Sequence, residues 1–69
     1  MVEVFKTNVA AVSDADSLVA LLQQCIPGSR INFDLEDCDK VLRIEGTNFA
    51  AGNVIRLVEE KGYACCPLE

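Results

Sequence analysis

Between Asn8 and Asp16 the hydrophobic pattern of this 69-residue chain changes period, and the change narrows the folds open to it. Upstream, Glu3, Phe5, Thr7 and Val9 alternate with Val4, Lys6 and Asn8. That two-residue repeat is a strand with Phe5, Thr7 and Val9 turned to one side. Downstream, Leu18, Leu21, Leu22 and Cys25 recur at intervals of three and four. Residues 14–25 are therefore expected to form an amphipathic helix whose apolar stripe faces a core. The joint itself carries a helix start signal: Ser13 is placed to cap, and Asp16 three residues on completes a Ser-x-x-Asp box. Pro27-Gly28 stops the helix.

The same change of period then happens a second time. Arg30-Ile31-Asn32-Phe33-Asp34-Leu35-Glu36 is the cleanest alternation in the chain, with Ile31, Phe33 and Leu35 on one face and polar groups on the other. It predicts a half-buried strand with one wet face. Residues 36–39 read as a polar turn, and Val41-Leu42-Arg43-Ile44-Glu45 as the returning strand, with Leu42 and Ile44 inward. Gly46 breaks that strand, and Thr47 or Asn48 is expected to cap a second helix with Ala51, Val54, Ile55 and Val58 as its stripe. Lys61-Gly62 closes this helix. Residues 63–67 supply a short last strand, in which Pro67 is tolerable only near the end or on an edge.

Strand, helix, strand, strand, helix, strand is the order of two split βαβ halves with right-handed crossovers. The expected fold is α+β: a ferredoxin-like βαββαβ sandwich, a four-stranded antiparallel sheet with both helices on one face. Residues 1–69 make a single domain, since a chain this short holds only one core. In that topology the first joint, the turn around Cys38 and the turn at Lys61-Gly62-Tyr63 share one end of the sheet, which is the expected working surface.

Composition then limits the chemistry. A net charge of -5 with six basic residues, and a sequence pI near 4.5, leave no field to neutralise a phosphate backbone. Nucleic acid is not an expected partner. The chain has no histidine, so it lacks the usual general base near neutral pH and the commonest nitrogen ligand for zinc or copper. No enzymatic activity is expected. The opening Met1–Lys6 run has an acid at position 3 and no apolar core of a signal peptide, and no apolar run approaches membrane-spanning length. The expectation is a cytoplasmic protein without membrane insertion. The terminal Leu68-Glu69 pair has the composition of a vector scar.

The four cysteines do not read as a disulfide framework. Cys25 falls on the helical stripe, where a thiol acts as a small hydrophobe, and Cys65 and Cys66 are neighbours that a strand sends to opposite faces. The sheet's outer face places Val2, Val4 and Val41 among Lys6, Arg30, Asn32, Asp34, Glu36, Arg43 and Glu45. Without aromatic residues or a basic field it is no RNA platform. A protein partner or self-association suits it better.

The run Phe5-Lys6-Thr7-Asn8-Val9, the helix ending near Pro27-Gly28, the Asp39-Lys40-Val41-Leu42 turn and strand, and the Val54 to Val58 helix leading into Gly62-Tyr63 resemble one family. It is the heavy-metal-associated domain, the small ferredoxin-like module of copper chaperones and of the N-terminal regions of metal-exporting ATPases. The likeness covers nearly the whole chain. It implies a Cys-x-x-Cys pair on the loop after the first strand, the second cysteine at the helix start, where a thiolate is favoured. Setting Val9 on the apolar residue two before the first family cysteine puts Ala11 and Asp14 on the two ligand positions, and Leu18 and Leu22 keep the helical register.

Two thiolates close in space select Cu(I) and other thiophilic ions, and a methyl group with one carboxylate does not replace them. No cofactor is therefore expected. Ser13, Asp14 and Asp16 offer fewer oxygens than the six or more a hard cation takes. The alternative is Cu(I) or another thiophilic ion held at a nonstandard site by Cys65 and Cys66, with Cys38 or shared across a dimer, although the Cys38 turn and the last strand are expected on opposite margins of the sheet. Tyr63 lies on the turn that in the family packs close to the metal loop, and joins Ser13 and Asp16 in the expected loop surface. The function expected from the resemblance is a protein-interaction module that has lost its metal site. The alternative is a metal carrier with an unusual one.

Overall fold

Six elements follow one another in the order the hydrophobic periods require: β1 (Val2–Thr7), α1 (Val12–Cys25), β2 (Arg30–Asp34), β3 (Val41–Glu45), α2 (Ala51–Glu60) and β4 (Cys65–Pro67). The structure is a computed structural model that describes residues 1–68; of the terminal Leu68-Glu69 pair, Glu69 lies outside the described residues. The strands form one antiparallel sheet in the order β2-β3-β1-β4. With α1 packed against β2 and α2 against β4, this is the expected ferredoxin-like α+β sandwich. Among the described residues no helix is long and apolar enough to cross a membrane.

The register explains which side chains meet. Phe5 and Phe33 both stand opposite Leu42, and Ile31 stands opposite Ile44, so the inward residues of three strands form one apolar layer. Leu18 and Leu22 from α1, and Val54 and Val58 from α2, close over it. Phe5, Val9, Leu22, Leu42, Ile44, Val54 and Val58 are sealed from solvent. On the opposite face Lys6, Arg30, Asn32, Asp34 and Arg43 are exposed, with Val4 and Val41 half-buried among them.

The structure corrects several local expectations. Ser13 does not cap α1. The N-cap is Ala11, in extended conformation (φ -93°, ψ 138°) with no side-chain cap, and its carbonyl accepts the Ala15 amide at 3.0 Å. Ser13 lies inside the first turn, where its carbonyl accepts the Ser17 hydroxyl at 3.1 Å, so the box with Asp16 is not formed. Burial of Val9 brings the chain onto the sheet early and starts the helix before the polar signal. Likewise Ala50, rather than Thr47 or Asn48, is the N-cap of α2. Phe49 packs against the core just ahead of it, and that anchor delays the helix. Cys25 is exposed. Ile26, four residues after Leu22, takes the inward place instead, with its amide on the Leu22 carbonyl at 2.8 Å. The strands are also shorter than their patterns: β1 stops at Thr7, β2 at Asp34, and β4 starts at Cys65.

Gly62 closes α2 with φ +95°, a left-handed conformation that a side chain resists, whereas Gly52 sits in α2 with open space where a Cβ would lie. The same substitution should therefore have opposite signs at the two places. Gly62→Ala is expected to destabilise by about 1 kcal/mol and Gly52→Ala to stabilise by about 0.4–1 kcal/mol, read as shifts of the urea midpoint at unchanged slope.

Candidate functional site

Thr7 ends β1 and is the point at which the joint is tied down. It is buried, its hydroxyl donates to the Lys40 carbonyl, and the same oxygen accepts the Val9 amide at 3.2 Å. Its own amide donates to the Asp39 carbonyl at 3.0 Å. One side chain thus joins the exit of β1 to the turn between β2 and β3. Asn8 makes the other connection, its Oδ1 accepting the Ala64 amide at 2.8 Å across 56 residues of sequence. Lys6 adds an exposed ion pair to Asp39 at 3.7 Å, worth little in stability but placed on the same turn. The three loops therefore share one end of the sheet, as their order predicts.

The turn between β2 and β3 is built from its own polar groups. The Asp37 carboxylate accepts the Asp39 amide at 2.9 Å, and the Lys40 amide reaches the Asp37 carbonyl at 3.0 Å. Lys40 has φ 46°, in the left-handed region, and its ammonium returns to the Leu35 carbonyl at 2.9 Å. Asp37, Cys38 and Asp39 bring one potential ligand atom each to within 4.8 Å of one another, and this is the only such group of three or more among the described residues. Its carboxylates already serve the turn and Lys6.

Ala11 is exposed, and Asp14 is half-buried one helical turn further on. Tyr63 comes beside Asp14, and the two line a small hollow with Ser17, Leu18, Leu21 and Lys61. Burial, and after it the negative Asp14 carboxylate, push the Tyr63 phenol above its ordinary pKa of 10.0. Asp16 lies elsewhere, in the groove lined by Val12, Ala15, Val19 and β2. The joint therefore does not gather Asp14 and Asp16 around one point. A methyl group and a carboxylate engaged with a tyrosine do not fit a thiophilic ion.

The cysteines do not converge either. Cys65 faces the core and Cys66 the outer surface, where it stands opposite Lys6. Cys38 is exposed on its turn between two aspartates, and Cys25 ends α1. All four are free thiols. Burial first, then the neighbouring Cys66 and Glu59, push the Cys65 thiol up to about 11. That disfavours the Cys65 thiolate, and with it a role as ligand near neutral pH.

Sequence periodicity assigns Thr7 and Asn8 to a strand without revealing either bond. The one available signal is that a threonine on the apolar face, next to an asparagine at a strand end, must find partners when buried. Compared with protein families, with curated proteins and with solved structures, the chain finds no match in any of the three.

Thr7→Val keeps the shape and removes both hydroxyl bonds, leaving the Val9 amide and Lys40 carbonyl without that partner. The expected cost is about 1–3 kcal/mol in denaturant unfolding. A second expectation concerns alkaline pH. Cys65 is raised from 9.0 in the unfolded chain to about 11 in the fold, so its contribution is fully present below pH 9 and is lost as pH rises through 11. Tyr63, also raised, acts in the same direction. Unfolding curves taken across that window should show falling stability, with a shallower fall in Cys65→Val.

Proposed function

We propose that this chain is a domain of the heavy-metal-associated kind that has lost its thiolate pair and works through contacts with protein. The observation that carries the reading is the joint after β1. The chain retains the strand, the buried Val9 and the helix register of the resemblance, while the two ligand positions hold exposed Ala11 and the Tyr63-facing Asp14. The surface left to act is the outer sheet face. There Val2 and Leu68 are partly exposed beside Lys6, Arg43 and Cys66, a mixed field suited to a complementary protein surface. The proposal includes a cytoplasmic setting, which four unpaired thiols suit. It includes no catalysis, and the acidic, histidine-free composition supports that.

Titration of the reduced protein with Cu(I) against a competing chelator tests the reading. The parent chain is expected to bind weakly. One equivalent held with sub-nanomolar affinity would overturn the proposal in favour of a metal carrier. Ala11→Cys together with Asp14→Cys should create tight thiophilic binding while the far-ultraviolet circular dichroism stays that of the parent. A folded double variant that binds no better than the parent would refute the correspondence of the joint with the family's metal loop.

A further inference from the structure

The two margins of the sheet differ in what they offer an added strand. The Gly46 amide donates to the Met1 carbonyl at 3.0 Å, which extends the β1–β3 register and marks the even-numbered residues of β3 as those bonded to β1. By the alternation of an antiparallel ladder, Val41, Arg43 and Glu45 turn their backbone groups to β2, where Asp34, Asn32 and Arg30 meet them. The amides and carbonyls of Ile31 and Phe33 therefore point out of the sheet. Among the described residues, no turn, loop or side-chain hydrogen bond reaches them. At the other margin the Leu68 amide reaches the Val4 carbonyl at 2.9 Å, which turns the backbone of Cys65 and Pro67 outward. Pro67 has no N–H to give, and β4 is only three residues long. One edge is blunted, and the other carries neither proline nor lysine within the strand.

The open edge also has a sequence that is its own complement. Reversed about Asn32, the strand Arg30-Ile31-Asn32-Phe33-Asp34 sets Arg30 against Asp34, Ile31 against Phe33, and Asn32 against itself. That register puts Ile31 and Phe33 in hydrogen-bonded pairs and Asn32 in a non-hydrogen-bonded pair, which is the parity their outward backbone groups require. Arg30 and Asp34 are exposed, and among the described residues neither has an ion pair within its own chain. Beside the edge runs a groove of mixed lining in which Val12, Val19, Ile31 and Phe33 lie with Asp16 and Glu36, and Val12 is 68% exposed.

We propose that β2 pairs antiparallel with β2 of a second copy across a two-fold axis at Asn32, joining two four-stranded sheets into one. The pairing satisfies the outward amides and carbonyls, sets apolar Ile31 against Phe33 on the helix side, and forms an Arg30–Asp34 ion pair at each end on the outer side. The net charge of -5 on each copy opposes approach. That repulsion is screened beyond about 8 Å at physiological ionic strength, whereas the Arg30–Asp34 pairs lie in contact. The inference stands apart from the loss of the metal site: a strictly monomeric chain refutes it and leaves the copper titration untouched.

Sedimentation velocity over a concentration series is expected to show a monomer–dimer equilibrium. Asp34→Arg sets arginine against Arg30 at both ends and should raise the dimer dissociation constant about tenfold. Adding Arg30→Asp to it restores opposite charges and should restore the dimer. With Cys25, Cys38 and Cys66 replaced by serine, Asn32→Cys should form a disulfide-linked dimer on mild oxidation, because a non-hydrogen-bonded pair brings the Cα atoms to about 4.5 Å. Asp34→Cys in that background should not, its two copies lying about 13 Å apart along the strands. The proposal is overturned by a monomer at every concentration, which would leave the edge to a strand of another protein. A dimer indifferent to Asp34→Arg, a charge swap that fails to restore it, or cross-linking at residue 34 in place of residue 32 would overturn it equally.

Discussion

A domain of this size, with four free thiols and no disulfide among them, depends on how completely two short helices cover one face of its sheet. The coverage is achieved by few side chains. Phe5, Leu42 and Ile44 on the strands meet Leu22, Val54 and Val58 on the helices, and all six are sealed from solvent. Because each inward residue alternates with an outward one, the same periodicity that builds the core also fixes the charged outer face. What this packing leaves outside is one sheet face, two edges, the loop ends and the outer sides of the helices.

The loop end next to β1 is held by side chains that flank the helix start. Thr7 and Asn8 link the joint to the two other loops with hydrogen bonds that involve neither Ala11 nor Asp14. Those bonds are independent of the side chains at positions 11 and 14. Asp14 lies beside Tyr63, at the start of a helix whose dipole favours a negative charge there. Within the proposed reading, the ligand positions were free to change because the hydrogen bonds of Thr7 and Asn8 hold the loops together without them.

Element order, strand faces and the inward set Phe5, Ile31, Leu42, Ile44, Val54 and Val58 were legible in the sequence because burial imposes a period. Helix starts were not. A serine or threonine near a boundary is a local signal, and at both helices a buried side chain prevailed over it, Val9 before α1 and Phe49 before α2. Cys25 satisfied the three-and-four spacing, but Ile26 satisfied the four-residue step from Leu22 and had more apolar surface to bury. At the candidate site, the approach of Tyr63 to the joint followed from topology alone. The bonds of Thr7 and Asn8 did not, since they cross 33 and 56 residues of chain and leave no periodic trace.

Pro67 has a consequence for how this protein meets crowding. Growth of a filament by strand addition requires each unit to accept a neighbour at both margins, since a chain of contacts must enter and leave every member. With an imide nitrogen at an outward position of β4, such a series is interrupted at that side of every molecule. A strand arriving at that side meets a three-residue partner that lacks one of its amides, so continuous growth from sheet to sheet is disfavoured there.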